Sequence, residues 1–285
     1  MAEAPLTDRQ SQRSNATVFV GGGRITGALL AGLRLAGYRG PIMVHDRHVK
    51  KLRVLKREFH IEVAPDLAHA IRRAEMLIVA VRPDSVAKLL DDMAPTLSGM
   101  SRRPLIVSLA AGVPLQQLRG QLGVPVRWAR AMPSPVSRIR RGLIAVTFDR
   151  SATSFDRKRV RRFFENVGSV LEVSESKLDI FTAAYSSSHG YHALATLAKA
   201  AQAAGLDRKT ALTAASHALA DGILYWRESG QSLEDLLHEA ATPGGIAAAT
   251  IEAMNSAGYE ETVLQGLRAG IERARRNADL PIKGR

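Results

Sequence analysis

Short apolar runs alternate with longer amphipathic stretches through the first part of the chain, and each change of period marks an element. The run Thr17-Val18-Phe19-Val20 reads as a strand ending in three consecutive glycines, and Ala28-Leu29-Leu30-Ala31-Gly32-Leu33 follows with helical character. Pro41-Ile42-Met43-Val44 predicts a second strand that stops before Asp46, and residues 48–59 form a basic amphipathic helix. Residues 75–81 are the near-continuous apolar type of strand that parallel sheets bury on both faces. Asp84 is placed as the cap of the next helix, and Pro114 opens another at a position where its missing N–H costs nothing. Residues 105–109, 124–128, 143–148 and 169–173 complete the strands, with a basic helix over 154–166. From Glu175 onward the strand signals stop. Three or four long alanine-rich helices are expected there, broken at Gly205, Gly230 and Pro243-Gly244-Gly245. The expected class is α/β: a disordered tail over residues 1–16, a doubly wound sheet over 17–173, and an all-helical domain over 174–285.

The glycine turn carries the clearest chemistry. A strand, Gly21-Gly22-Gly23-Arg24-Ile25-Thr26, and then a helix is the arrangement that holds a dinucleotide pyrophosphate. Gly21 permits the tight turn, Gly23 lets the backbone approach phosphate oxygens, and the following helix offers unpaired N–H groups. Thr26 stands where a third small residue is usual, with Gly27 one position late. Asp46 lies where a ribose-binding acid is expected.

Composition narrows the field. With 46% apolar residues among 285, the chain has material for one large or two ordinary domains, and no uncharged apolar run approaches a membrane span. The first residues lack the apolar core of a secretion signal. There is no cysteine, so thiolate catalysis and disulfides are excluded, and a cytoplasmic enzyme is expected. The formal charge of +13 is spread over helices without a nucleic-acid-binding motif. It reads as a basic surface that attracts anionic cofactors and substrates. The eight histidines form no H-x-x-x-H pair, and no metal site is expected. Alanine-rich residues 193–204 bury little by themselves, which points to a homodimer or higher homo-oligomer.

Further segments fall where such a sheet would place its ligand: Val81-Arg82-Pro83, Ser108-Leu109-Ala110-Ala111-Gly112, Arg130-Ala131-Met132-Pro133-Ser134 and Thr242-Pro243-Gly244-Gly245. In this order and spacing the chain resembles the pyrroline-5-carboxylate reductase family over nearly its whole length. That family carries GxGxM, VKP, SxAAG, RxMPN, GSGPAY and SPGGTT segments, with Asp179 and Thr182 matching a D-x-x-T segment between them. The resemblance implies a Rossmann domain, a helical dimerisation domain, and hydride transfer from a reduced nicotinamide to a cyclic C=N of a small-molecule substrate. It implies that Val81, Arg82, Pro83, Ala110, Ala111 and Gly112 hold the cofactor with Gly21, Gly23, Arg24, Ile25 and Thr26. Met132, Ser134, Ser187, Pro243, Gly244, Gly245, Ile246 and Ala247 are its substrate positions.

Two segments depart from the family. The GSGPAY segment reads Ser186-Ser187-Ser188-His189-Gly190-Tyr191, with histidine in place of proline. Ala247 replaces a threonine whose hydroxyl the family directs at the substrate nitrogen, and alanine makes no such bond. Pro243-Gly244-Gly245 keeps the backbone N–H groups that hold a carboxylate. The expected substrate is therefore pyrroline-5-carboxylate or a related anionic imine, with His189 and Tyr191 as candidate catalytic residues. Asp46 favours NAD, whereas Arg47, His48, Lys50 and Lys51 favour NADP; NADP is the expected cofactor and NAD the alternative. Two rival readings remain. One is a hydroxy-acid dehydrogenase, which would need Lys199 in the cleft, about 15 Å along a helix from His189. The other is a nucleotide-binding paralogue without catalysis.

Overall fold

The computed structural model describes residues 16–278. The expected tail therefore lies outside the described residues, except for Ala16, which opens the first strand. The elements run β1 (Ala16–Val20), α1 (Arg24–Leu35), β2 (Ile42–His45), α2 (Val49–Phe59), β3 (Glu62–Val63), α3 (Leu67–Arg73), β4 (Ala74–Val79) and α4 (Val86–Ser98). They continue with β5 (Leu105–Ser108), α5 (Leu115–Leu122), β6 (Arg127–Met132), β7 (Gly142–Phe148), α6 (Ser154–Glu165) and β8 (Gly168–Glu172). Six helices follow: α7 (Glu175–Ala184), α8 (Ser187–Ala203), α9 (Arg208–Ser229), α10 (Leu233–Ala240), α11 (Ile246–Ser256) and α12 (Tyr259–Arg275).

The eight strands form one sheet in the order β3-β2-β1-β4-β5-β6-β7-β8. Strand residues alternate between two apolar layers because successive side chains point to opposite faces. Phe19, Val44, Ile78 and Val107 join Leu29, Leu33, Leu52 and Phe163 on one face. Val18, Val20, Met43, Leu77 and Ile106 join Ile71, Leu90, Leu118 and Trp128 on the other. The chain thus forms an α/β fold with a Rossmann-type sheet followed by helices. By contacts it divides into two compact units, residues up to Ala183 together with Ile271 onward, and Ala184–Gly270.

Several local expectations are corrected. β7 runs antiparallel to β6, since the few residues between them cannot make a crossover. β3 is a two-residue strand, too short to leave a period in the sequence. Asp84 caps no helix; it lies in a 3-10 turn, accepts a bond from Ser85 Oγ at 2.9 Å, and pairs with Arg82. β6 runs to Met132 instead of stopping at Trp128. A charged residue normally ends a buried strand, but Arg130 is neutralised in place. Its side chain is 1% exposed, and Nη1 and Nη2 donate to Glu175 Oε1 (3.2 Å) and Asp179 Oδ1 (3.5 Å) at the start of α7. Glu175 Oε1 also accepts the backbone N–H of Leu115 at 2.6 Å, the first residue of α5.

In the second unit, only Ala198, Ala211 and Ala215 are buried among the described residues. Ile223, Leu224, Tyr225 and Trp226, consecutive on α9, are all at least 43% exposed. A contiguous exposed apolar patch of this size is the kind that a partner surface covers.

Replacing Glu175 by alanine takes one of two carboxylate partners from a buried guanidinium and the acceptor from an N-terminal amide. We expect a loss of roughly 3 kcal/mol of unfolding free energy in urea. Lys88→Ala, which breaks the exposed pair with Asp92, is expected to change it by less than about 0.5 kcal/mol.

Candidate dinucleotide and substrate site

The sheet order reverses direction at β1, whose neighbours are β2 and β4, and a doubly wound sheet opens its ligand crevice beyond the strand ends at that point. The strand registers pair Val20 with His45, Val20 with Val79, Val79 with Ser108, and Ser108 with Arg130. The segments after these residues therefore emerge side by side: the glycine turn, Asp46, Val81–Pro83, the Ser108–Gly112 turn and the end of β6. That is how the fold gathers residues far apart in sequence.

Gly21 has φ +111°, and a Cβ there would lie 2.6 Å from the Ala80 carbonyl oxygen. No other residue fits without moving β4. A Cβ on Gly23 would meet nothing within 4 Å, so this face of the turn is open to a close-approaching ligand. Gly23 is the N-cap of α1 but supplies no side-chain bond, and the first turn carries no acid and begins with the exposed Arg24. An N-terminus with orphan N–H groups and no negative charge suits an incoming anion. Ile25 is half-buried behind it, packed against the apolar layer. Thr26 is fully buried and its hydroxyl donates to the Gly21 carbonyl at 2.5 Å. It braces the turn from behind, where the third small residue usually packs helix against strand.

Asp46 has a structural task that its sequence position did not reveal. Oδ2 accepts the Gly22 N–H at 2.7 Å, and Oδ1 accepts the His48 N–H at 2.7 Å with the His48 ring 3.3 Å away. It thereby clasps the glycine turn to the end of β2. Burial acts to raise its pKa, but the Gly22 and His48 amides, with the charges of Lys51 and His48, outweigh this and hold the carboxyl below its usual range. Arg47 is exposed and, among the described residues, has no carboxylate partner.

The neighbouring turns differ in accessibility. Val81 and Pro83 are half-buried and Arg82 exposed. In the Ser108–Gly112 turn, Ala110 and Gly112 are buried while Ala111 is half-buried, and the Ala110 N–H donates to Ser108 Oγ at 3.3 Å. Met132 is buried against Ala145 and Leu178 with Ala111 and Phe181 packed alongside, and Ser134 is 6% exposed. The structure brings Met132 and Ala111 together, but as packing. Asp179 is bound to Arg130, and Thr182 donates to the Leu178 carbonyl at 2.7 Å.

The helical unit holds the remaining candidates. Ser186 caps α8 by accepting from Ser188 N and pairing with Ser188 Oγ at 2.7 Å. Ser187 opens the helix, and His189 and Tyr191 lie in its first two turns, both exposed. Gly244 has φ +78°, and the Gly245 N–H closes the turn onto the Thr242 carbonyl at 2.9 Å. Gly245 is the N-cap of α11, without a side-chain bond; Ile246 is 90% exposed, Pro243 and Ala247 are exposed. α11 therefore opens without a side-chain partner for its first N–H groups. Glu175, which accepts the Leu115 N–H and pairs with Arg130, and Asn277, whose side-chain amide donates to the Ala111 carbonyl at 3.0 Å, were not singled out from the sequence. Glu175 shows only as an acid in a helix first turn, and Asn277 carries no local signal.

Because the Asp46 carboxyl is held below its ordinary pKa in the fold, its contribution to stability is complete above the unfolded value, near 3.9. It is lost as pH falls through the lower folded value. Melting temperature followed from pH 6 to 2 should therefore fall less steeply for Asp46→Asn than for the unaltered chain.

Two family models match the chain: "Pyrroline-5-carboxylate reductase dimerisation" over residues 175–277 and "NADP oxidoreductase coenzyme F420-dependent" over residues 17–112. Among curated relatives, the pyrroline-5-carboxylate reductase of Synechocystis sp. is 28% identical, covering 90% of this chain and 96% of its own. Pyrroline-5-carboxylate reductase 2 of Bacillus subtilis is 26% identical, covering 92% and 94%. Among solved structures, the pyrroline-5-carboxylate reductase of Coxiella burnetii superposes with a TM-score of 0.82 at 25% identity, over 94% of this chain and 99% of that one. That of Plasmodium falciparum, solved with NADP bound, gives 0.81 at 20% identity over 93% and 99%. With one family model matching the sheet residues, another the helical residues, and relatives aligned over 90% of the chain, the chain is similar along its length to the pyrroline-5-carboxylate reductase family.

Proposed function

We propose that this chain is an NADPH-dependent reductase of a cyclic C=N bond, converting pyrroline-5-carboxylate to proline or acting on a closely related anionic imine. The observation that carries it is the Gly21–Gly23 turn: an uncapped, acid-free N-terminus of α1, open at Gly23 and fixed in shape by Asp46. That site fits a dinucleotide pyrophosphate. Asp46 spends both oxygens on backbone donors, while Arg47 stays exposed for a 2′-phosphate, which favours NADP over NAD. Bound there, the reduced nicotinamide supplies the hydride.

The chain's own groups do the rest. Gly21, Gly23, Arg24 and Ile25 line the pyrophosphate side, and Val81–Pro83 with Ala110–Gly112 position the nicotinamide end. The N–H groups that open α11 after Gly244 and Gly245 hold a substrate carboxylate. His189 is the candidate proton donor to the ring nitrogen, in a segment where the pyrroline-5-carboxylate reductase family carries proline, and Tyr191 on the same helix is a second candidate. Proton donation to the ring nitrogen would make the imine carbon electrophilic, so that one proton and one hydride together convert the imine to the amine. Ala247 offers no hydroxyl to that nitrogen. The exposed apolar face of α9 and the dimerisation-family match support a homodimer or a higher homo-oligomer. A cytoplasmic setting completes this reading.

The deciding assay is NADPH oxidation with pyrroline-5-carboxylate beside other carboxylate-bearing cyclic imines and 2-oxo acids. We expect turnover of roughly 1 s⁻¹ or more on at least one cyclic imine; silence on every imine would overturn the reading. Arg47→Ala should raise KM for NADPH at least about tenfold, the scale of one charge-assisted phosphate contact, and leave KM for NADH nearly unchanged. Equal effects on both would remove Arg47 from the cofactor site.

A further inference from the structure

The end of α12 belongs to the same compact unit as the sheet, and it closes on the Ser108–Gly112 turn. The Asn277 N–H returns to the Ala274 carbonyl at 3.0 Å, which turns the chain just past the helix. Arg273 Nη1 donates to Asn277 Oδ1 at 2.6 Å. A guanidinium only donates, so the oxygen of the Asn277 amide must face Arg273 and its nitrogen must face away. That nitrogen donates to the Ala111 carbonyl at 3.0 Å, across 166 residues of chain. Beside it the two backbones touch: Gly112 has φ +75°, and a Cβ there would lie 1.9 Å from the Ala274 carbonyl oxygen. Asn277 also borders a small cavity of about 100 Å³ together with Pro83, Asp84 and Val113. One side chain thus adjoins both turns that the proposed function assigns to the nicotinamide.

We propose that Asn277 is a positioning residue for the nicotinamide end of the cofactor, acting through the Ala111 carbonyl. Gly112 accepts the helix end because it has no side chain, and Asn277 then holds the turn in one of the shapes that its glycine allows. This rests on the reading of the chain as a nicotinamide enzyme. It assigns to the last turn of α12 a task that neither the glycine fingerprint nor the sheet can perform.

Asn277→Asp tests it at nearly constant shape. The carboxylate keeps the pairing with Arg273 but turns an acceptor toward the Ala111 carbonyl. Dissociation constants are measured for NADPH and for 2′-phospho-ADP-ribose, the same molecule without its nicotinamide, along with amide hydrogen exchange over residues 110–113. We expect NADPH binding to weaken about fivefold or more, the scale of one hydrogen bond. The truncated ligand should bind as before, with exchange faster at 110–113 and unchanged in β1. Asn277→Ala should move the same readings the same way and by less. Unchanged NADPH binding in Asn277→Asp, or equal weakening of both ligands, would overturn the proposal. An unaltered chain that binds neither ligand would instead overturn the proposed function.

Discussion

A guanidinium cannot stay charged inside a sheet unless carboxylates come to it, and that requirement at Arg130 organises much of this molecule. Moving an ion of this size out of water costs several kcal/mol even after relaxation, so Glu175 and Asp179 are bound to the strand by necessity. Both lie one turn apart on α7, and their pairing fixes where that helix begins. Glu175 also takes the orphan N–H of Leu115, so α5 is set by the same carboxylate. Strand, crossover helix and the first C-terminal helix are thereby held by one buried charge. Met132, two residues along β6, then packs against Leu178 of the same helix and beside Ala111. The position of the Ser108–Gly112 turn is in this way tied to a salt bridge one strand away.

A second constraint acts at the glycine turn. Three glycines in a row cost conformational entropy on ordering, and without an external tie the turn would sample several shapes. Asp46 supplies the tie by taking the Gly22 and His48 amides on its two oxygens. A carboxylate so engaged is a poorer competitor for a ribose hydroxyl and a weaker repellent of a 2′-phosphate than a free one. The same two bonds therefore fix the shape of the loop and leave the carboxylate less available to any further donor.

How much of this was legible in the sequence depends on the range of the interaction concerned. Strands such as Thr17–Val20 and Leu105–Ser108 announce themselves because burial on both faces demands continuous apolar residues, and the glycine turn because its φ demand is local. The extent of β6 was not legible, since Arg130 looks like a strand end until its partners 45 and 49 residues away are known. Nor was the bracing role of Thr26, the clasp by Asp46 or the contact of Asn277. Each is a hydrogen bond whose second partner is fixed by tertiary placement, without a period or motif to betray it. The helical part was legible in kind, as alanine-rich helices with glycine breaks, but the six helices after β8 were undercounted because α10 and α11 are short, eight and eleven residues long.

The two units also differ in how completely they satisfy themselves. The sheet unit buries two continuous apolar layers, whereas Ala184–Gly270 buries only alanines and leaves Tyr225, Trp226, Leu233 and Leu237 more than 40% exposed. At about 25 cal/mol per Å² of apolar surface, side chains of this size hold several kcal/mol that the isolated unit does not realise. The departures from the family, His189 and Ala247, fall in this self-insufficient unit, while the glycine turn and its Asp46 clasp fall in the other. A scaffold divided in this way can change its exposed helix starts without disturbing the buried charges and bonded turns that hold the sheet unit together.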